Sequence, residues 1–520
     1  MNYIRRAWLY VTRKLSKSIL LGLTFFAIGN LVLIGLGITQ AASNAKTMTR
    51  LSMKAVVNLN VDYQKHSAYI DSLESEEEKN AAYENSPVIG IDTVKDVLKD
   101  KRIKAANYLS SRQTFSLGFD SVLIGNEEFR EDSFNPNGAS IENSYLQPNF
   151  MLIGNLYPEM IEFHDGTCTL VEGRFFNQND IENANLVAVI SKDVADINGF
   201  TLGDKISFRA GTEEIIQSME LNGLKRDDLN REFEIIGIYT TIEEVDMTSV
   251  RIAYITGSEN PKNNVYVPLI TLIEGELVQY ELFNQYGNSG MGTNVNEIPL
   301  EDIKQQMLNT SKVNILLDDP LKIESFMDDY KNIETEYIYF DANNKQFDQF
   351  SRPLDNLTYF ADVILLIISI TAIFIITLIT ALTLKSREFE IGVLLSLGVS
   401  RIKIVLQFFV ELLIILLVSF TCAVVTGSMV AGKVGQQVLE NQVAIEPEIV
   451  QEENFKPNWV GYKEYFTEIT QEDMLSRYKV IINPILILQI YLFGIGIVFI
   501  SILVPTYMIM KLSPKRIMLS

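Results

Sequence analysis

Four apolar runs constrain this chain more than any other feature. Ile19–Ile38 is 20 residues without a charge, and Val363–Leu384 is 22. Ile404–Gly432 is 29 residues broken only by Glu411, and Ile481–Met510 is 30. A helix rises about 1.5 Å per residue, so about 20 such residues cross a hydrocarbon core of about 30 Å. Four membrane-spanning helices are expected: 19–38, 363–384, 404–432 and 481–510. The first run exceeds the roughly 7–15 residues of a signal-peptide core and reads as an uncleaved anchor. The arrangement is one helix, a soluble region at 39–362, and then three helices. A second soluble segment, 433–480, separates the last two.

Charge predicts the orientation. Residues 1–18 carry Arg5, Arg6, Arg13, Lys14 and Lys17 and no acid. The loop 385–403 holds four basic and two acidic residues, and the tail 511–520 holds Lys511, Lys515 and Arg516. Lys and Arg flanking spans stay on the cytoplasmic side. Both termini and the 385–403 loop are therefore expected inside, with 39–362 and 433–480 outside. Residues 1–18 also carry Ile4, Trp8, Leu9 and Tyr10 among the arginines, which suits a basic amphipathic segment lying along the inner lipid headgroups. The whole chain has a net charge of −21 despite these basic segments, so its outer portion is strongly acidic. That sign disfavours nucleic acid and fits a solubilising surface.

The outer region reads as α+β, in two subdomains. "NLVAVIS" (185–191), "EFEIIGIY" (232–239) and "NNVYVPL" (263–269) have the strand pattern. Residues 313–340 read as strand, helix, strand, with Asp318 or Asp319 as cap, Pro320 at the first helical position, and Ile323 and Phe326 on one face. Asp92–Leu98 reads as a short helix capped by Asp92. Gln279–Leu300, rich in Asn and Gly, reads as a loop. Asn30, inside the first span, is placed to bond either a neighbouring helix or its own backbone. The insertion 433–480 contains Trp459, Tyr462, Tyr465 and Phe466 and is expected to pack on the large domain or on a partner.

Few chemistries are available. The sequence holds no Gly-x-x-x-x-Gly-Lys-Ser/Thr, no Gly-x-Ser-x-Gly and no His-Glu-x-x-His. There are two histidines, His66 and His164, and two cysteines, Cys168 outside and Cys422 within a span, which cannot pair within one chain. His164 and Cys168 lie four apart, but the Asp165-Gly166 turn between them argues against a helical metal pair. No catalytic residue, metal or bound cofactor is expected.

The charged loop between the second and third spans is the informative motif. Glu388–Leu397 has room for nearly three helical turns, with Ile391, Leu394 and Leu395 on one face. Gly398 is a natural stop and Ser400 a natural start for the next span. Glu411, buried in the third span, needs a partner such as Arg401, Lys403 or a backbone donor.

The pattern Arg387-x-x-Glu390-Ile391-Gly392, Leu397-Gly398, Gln407-Phe408 and Glu411 resembles the signature of FtsX-like permeases of the MacB type. "LVEGRFFNQND" (170–180), "VAVISKDVADINGFTLGDKISF" (187–208), "FEIIGIY" and "NNVYVPL" resemble the MacB-like core domain in order and spacing. The ending "LVPTYMIMKLSPKRIML" is similar too, and the long 433–480 insertion is most like the Vex-type permeases of Gram-positive bacteria. Ser396 replaces the usual Ala before Leu-Gly. The resemblance implies a permease subunit that pairs with a second permease subunit, identical or not, and binds separate ABC ATPase subunits that use ATP. It assigns ATPase coupling to Arg387, Glu390, Ile391, Gly392, Leu394, Leu395, Leu397 and Gly398, and a structural role at the inner membrane surface to Glu411. It also implies ATP-driven ectodomain motion that exports a peptide, toxin or lipid-linked molecule, with an extracellular adaptor or substrate protein as a further partner. The alternative is an FtsX-like signalling subunit that regulates an extracellular cell-wall hydrolase or sensor.

Overall fold

In the computed structural model, the described residues are 3–123, 148–244, 257–287, 299–342, 344–443, 463, 465–466 and 476–511. The chain divides into a membrane unit (1–53, 344–451 and 468–520) and an α+β unit (54–343 and 452–467).

Among the described residues, four helices of the membrane unit are long and apolar enough to cross a bilayer. An N-terminal helix, Tyr3–Arg13, precedes the first spanning helix, Leu15–Ser52, and the second, Asn344–Ser386. A short helix, Glu388–Ser396, leads to the third, Arg401–Val443, and the fourth is Pro484–Ser501 continued by Leu503–Lys511.

Helices one to three outrun their apolar stretches. At 38 residues the first is about 57 Å long, nearly twice the hydrocarbon thickness. The extra turns pack together. Ala41, Ala42 and Ala45 let Leu354, Leu357 and Ala361 of the second helix approach closely. Lys46 pairs with Asp355 at 3.0 Å, and the Arg50 guanidinium lies 4.8 Å from the centre of the Phe347 ring. The globular part of the chain therefore begins near Lys54 and ends near Ala342, inside the 39–362 limits read from composition.

Small and polar residues knit the spans. A methyl group at Gly35 would stand 2.6 Å from Leu365 Cγ, so only glycine lets these two helices meet. Asn30 makes both of its expected bonds: Nδ2 donates to the Phe26 carbonyl of its own helix at 2.9 Å, and Oδ1 accepts from Thr426 of the third span at 3.0 Å. Pro505 breaks the fourth helix and leaves the Ser501 carbonyl without its usual donor. Thr377 of the second helix donates to that oxygen at 3.1 Å.

The α+β unit has two sheets. The first runs β11–β1–β10–β2, all antiparallel: β1 is Val56–Val61, β2 Ile103–Asn107, β10 Lys312–Leu317 and β11 Ile338–Asp341. The second runs β5–β8–β6–β9–β4–β3–β7. Its strands are β3 Leu109–Ser116, β4 Phe150–Asn155, β5 Cys168–Gly173, β6 Val187–Ser191, β7 Lys205–Arg209, β8 Asn230–Thr241 and β9 Asn264–Pro268. Because β8 also pairs with β7, this sheet closes on itself. Alternate residues of β6 and β9 enter different cores. Ala188, Ile190, Val265 and Val267 pack with Phe150 and Phe208, whereas Val187, Val189 and Tyr266 pack with Phe176 and Tyr239. Both faces are covered, which explains the unbroken apolar runs at 187–190 and 265–267.

Two local expectations are corrected. Asp92 does not cap its helix: Ile91–Val94 starts after Gly90 and is followed by a separate turn, Val97–Lys99. The helix Leu269–Tyr286 covers the first part of the expected 279–300 loop, because Leu282, Phe283 and Tyr286 pack on Ile216, Met219 and Leu229. The rest of that loop up to 298 lies outside the described residues. The Asp319 side chain accepts from Leu321 N ahead of Pro320, and Ile323 and Phe326 are both buried.

Candidate functional site

The short helix Glu388–Ser396 sits between the second and third spanning helices, and local sequence sets both its ends. At its C-terminus Gly398 adopts φ +79°. Gly398 N donates to the Leu395 carbonyl and Val399 N to the Leu394 carbonyl, each at 3.1 Å. This paired closure satisfies two otherwise open carbonyls and requires the left-handed residue that glycine supplies. The chain turns at Ser400, whose carbonyl accepts from Lys403 N and Ile404 N to start the third spanning helix.

Arg387 is the centre of the site. It precedes the short helix, and its side chain is only 6% exposed. Nε and Nη2 fork onto Glu390 at 3.0 and 3.2 Å, and Nη1 reaches Glu411 at 2.8 Å. The guanidinium lies over the rings of Tyr10 and Phe408, 3.8 and 4.7 Å from their centres. The second Glu411 oxygen accepts from Gln407 at 3.0 Å. One planar cation thus ties the N-terminal helix, the short helix and the third span. Arginine suits this position because its fork pairs with carboxylates while its faces stack on rings. A second cation, Lys17, donates to Ser386 Oγ at 3.0 Å. Beside the cluster lies a small cavity of about 40 Å³, lined in part by Tyr10, Lys17, Thr383 and Glu411.

The eight residues assigned to coupling do not share one surface. Arg387, Ile391 and Gly392 are buried, and Leu394 and Leu395 pack on the apolar core of the spans. Glu390, Leu397 and Gly398 face outward, together with Glu388 and Phe389. The apolar stripe therefore anchors the helix, and the outward face is exposed. Glu411's partner is Arg387, not Arg401 or Lys403. Sequence reasoning missed Tyr10 and Phe408 as the covers of that cation. The spacing of Gln407 and Glu411, one turn apart, was the available signal.

His164 and Cys168 do not form a pair. Cys168 is buried in β5 with its sulfur 3.9 Å from the Tyr266 hydroxyl, and His164 Nε2 lies 3.0 Å from Glu159. Among the described residues, no group of three or more His, Cys, Asp or Glu side chains could hold a metal ion.

The fold and the helices define a multi-pass membrane protein with an extracellular α+β domain of the MacB core type. Residues 363–514 match the family described as FtsX-like permease C-terminal, and residues 124–332 match the MacB-like periplasmic core domain. The chain is 24% identical over 440 residues to "Uncharacterized ABC transporter permease YclI" of Bacillus subtilis (strain 168), covering 83% of this chain and 80% of that one. Two solved structures are similar at 12% identity and a TM-score of 0.26 each. The periplasmic region of MacB from Actinobacillus actinomycetemcomitans aligns over 58% of this chain and 92% of its own. The extracellular domain of the noncanonic ABC-type transporter YknZ from Gram-positive bacteria aligns over 55% and 99%. The chain is thus similar to ABC transporter permeases of the FtsX and MacB type, and both of their domains are found in it.

Proposed function

We propose that this chain is the membrane subunit of an ATP-driven transporter whose separate ABC ATPase docks on the outward face of Glu388–Gly398, on the cytoplasmic side. The observation that carries the reading is the short helix itself. It is anchored inward by Ile391 and Arg387 yet presents Phe389 at 70% and Leu397 at 75% exposure beside Glu388 and Glu390. Apolar side chains ringed by charge at a membrane surface suit a protein groove. ATP is used by the partner, since this sequence carries no P-loop. A second permease subunit, identical or not, would cover the second span, whose apolar window is the least buried of the four at 22%.

Work is delivered along the spanning helices to the extracellular domain, and the outcome is export of a peptide, toxin or lipid-linked molecule. Helices with internally satisfied backbones transmit a push as rods. The threonines and Asn30 of the spans support this route over a polar pore. Thr24 donates to its own helix, Thr377 serves the Ser501 carbonyl, and Asn30 is bonded on both sides. Co-purification of the chain with the ABC ATPase expressed beside it tests the docking face. Phe389→Asp and Leu397→Asp are expected to lose the ATPase while the chain stays inserted and folded. Retention of the ATPase by both variants would refute this face.

A further inference from the structure

The insertion between the third and fourth spans leaves a mark on the α+β unit. Tyr465 is 2% exposed and sits in the core built on β1, β2 and β10. Its hydroxyl donates to Glu162 Oε1 and accepts from Asn107 Nδ2 at 2.8 Å. Asn107 Nδ2 also donates to the other Glu162 oxygen at 2.9 Å, and its Oδ1 accepts from Ile161 N at 3.0 Å. Two residues earlier, Lys463 pairs with Glu243, and its carbonyl accepts from Lys312 Nζ at 3.4 Å. Phe466 packs on the same core as Tyr465.

Asn107 ends a row of amides that crosses the sheet. Asn58, Asn314 and Asn107 stand opposite one another in the register of β1, β10 and β2, and Asn314 Nδ2 donates to Asn58 Oδ1 at 2.7 Å. All three are buried, as is Glu162. A polar row in an apolar interior holds only when its members are bonded. At the β2 edge the last donor comes from Tyr465. Without it the Glu162 carboxylate keeps the side-chain amide of Asn107 but loses the hydroxyl.

We infer that Lys463, Tyr465 and Phe466 are a latch that fastens the linker between the third and fourth spans to the extracellular domain, with Glu162 and Asn107 as its keeper. The domain is joined by chain to the first and second spanning helices at Ser52 and Asn344. The latch adds a third attachment, 22 residues after the end of the third spanning helix at Val443 and 19 before the fourth at Pro484. Motion of those two helices then reaches the domain through the linker.

Hydrogen–deuterium exchange on the full-length chain in lipid nanodiscs tests the latch. The wild-type amides of Lys463, Tyr465 and Phe466 are expected to exchange at least tenfold more slowly than an unstructured peptide. Tyr465→Phe, which keeps the ring and removes the hydroxyl, is expected to erase most of that protection. Glu243→Gln, which touches only the Lys463 end, is expected to weaken it in part while β1 and β10 keep wild-type rates. Wild-type exchange at the unstructured rate, or full protection in both variants, would overturn the inference.

Discussion

At the scale of single residues, two of the buried charged sites bear on function. Arg387 and Glu411 are each 6% exposed and meet at 2.8 Å. Removing one partner from such a pair leaves the other charge stranded, at a cost of about 3–5 kcal/mol, whereas replacing both with apolar groups costs far less. Arg387→Met alone and Glu411→Leu alone are therefore expected to lower the melting temperature of the purified chain sharply, and the double variant is expected to recover most of the loss. Additive losses would show that the pair is not coupled. Glu162 is the second case. Burial raises its pKa above the ordinary carboxylate value, against the hydrogen bonds of Tyr465 and Asn107 and the nearby charge of Lys463. The folded chain thus holds this proton to higher pH than the unfolded chain does. Stability from this group is fully present below the unfolded pKa of about 4.3 and falls as pH rises through the folded value. Thermal stability of the purified chain should therefore rise on acidification from neutral pH toward about 5, and Glu162→Gln should flatten that dependence. Glu411 was visible as a problem in the sequence because a lone acid in a 29-residue apolar run needs a partner. The identity of that partner was not visible, since Arg387 lies 24 positions away and the Tyr10 ring arrives from the N-terminal helix.

Among the elements, the short helix Glu388–Ser396 carries the argument. Its limits could be read in advance because Gly398 and Ser400 are local signals, and the structure puts Gly398 in the left-handed region at φ +79°. Its facing could be read only halfway. Period alone groups Ile391, Leu394 and Leu395, but an apolar stripe fits a lipid surface, a partner groove or the protein's own core equally well. Tertiary packing decides it: those residues join the core of the spans. Variants on the two faces should separate. Ile391→Asp buries an unpaired carboxylate and is expected to destabilise the purified chain by on the order of 3 kcal/mol. Leu397→Asp is expected to leave the melting temperature within experimental scatter. Equal destabilisation by both would mean the helix is not oriented as described. The helix Leu269–Tyr286 gives the opposite lesson. Its last two turns contain Asn284 and Gln285 and read as loop, yet contacts of Leu282 and Phe283 with residues more than 50 positions away keep them helical.

For the whole molecule, composition separated the spans from the soluble region, since hydrocarbon and water select opposite side chains. It did not place the junctions, because helices that leave a bilayer can continue in water when they pack on one another, as Ala41–Ala45 and Leu354–Ala361 do. The proposed mechanism requires one sidedness: the α+β unit outside, and the short helix with its arginine cluster on the side of the ATPase. Labelling of intact cells with a membrane-impermeant maleimide tests it directly, in chains whose Cys168 and Cys422 are replaced by Ala and that carry one new cysteine. Leu221, 89% exposed in the α+β unit, and Lys385, exposed at the end of the second spanning helix, are the two positions. Leu221→Cys is expected to label in intact cells. Lys385→Cys is expected to label only after the membrane is opened. Labelling of both in intact cells, or the reverse pattern, would contradict the account.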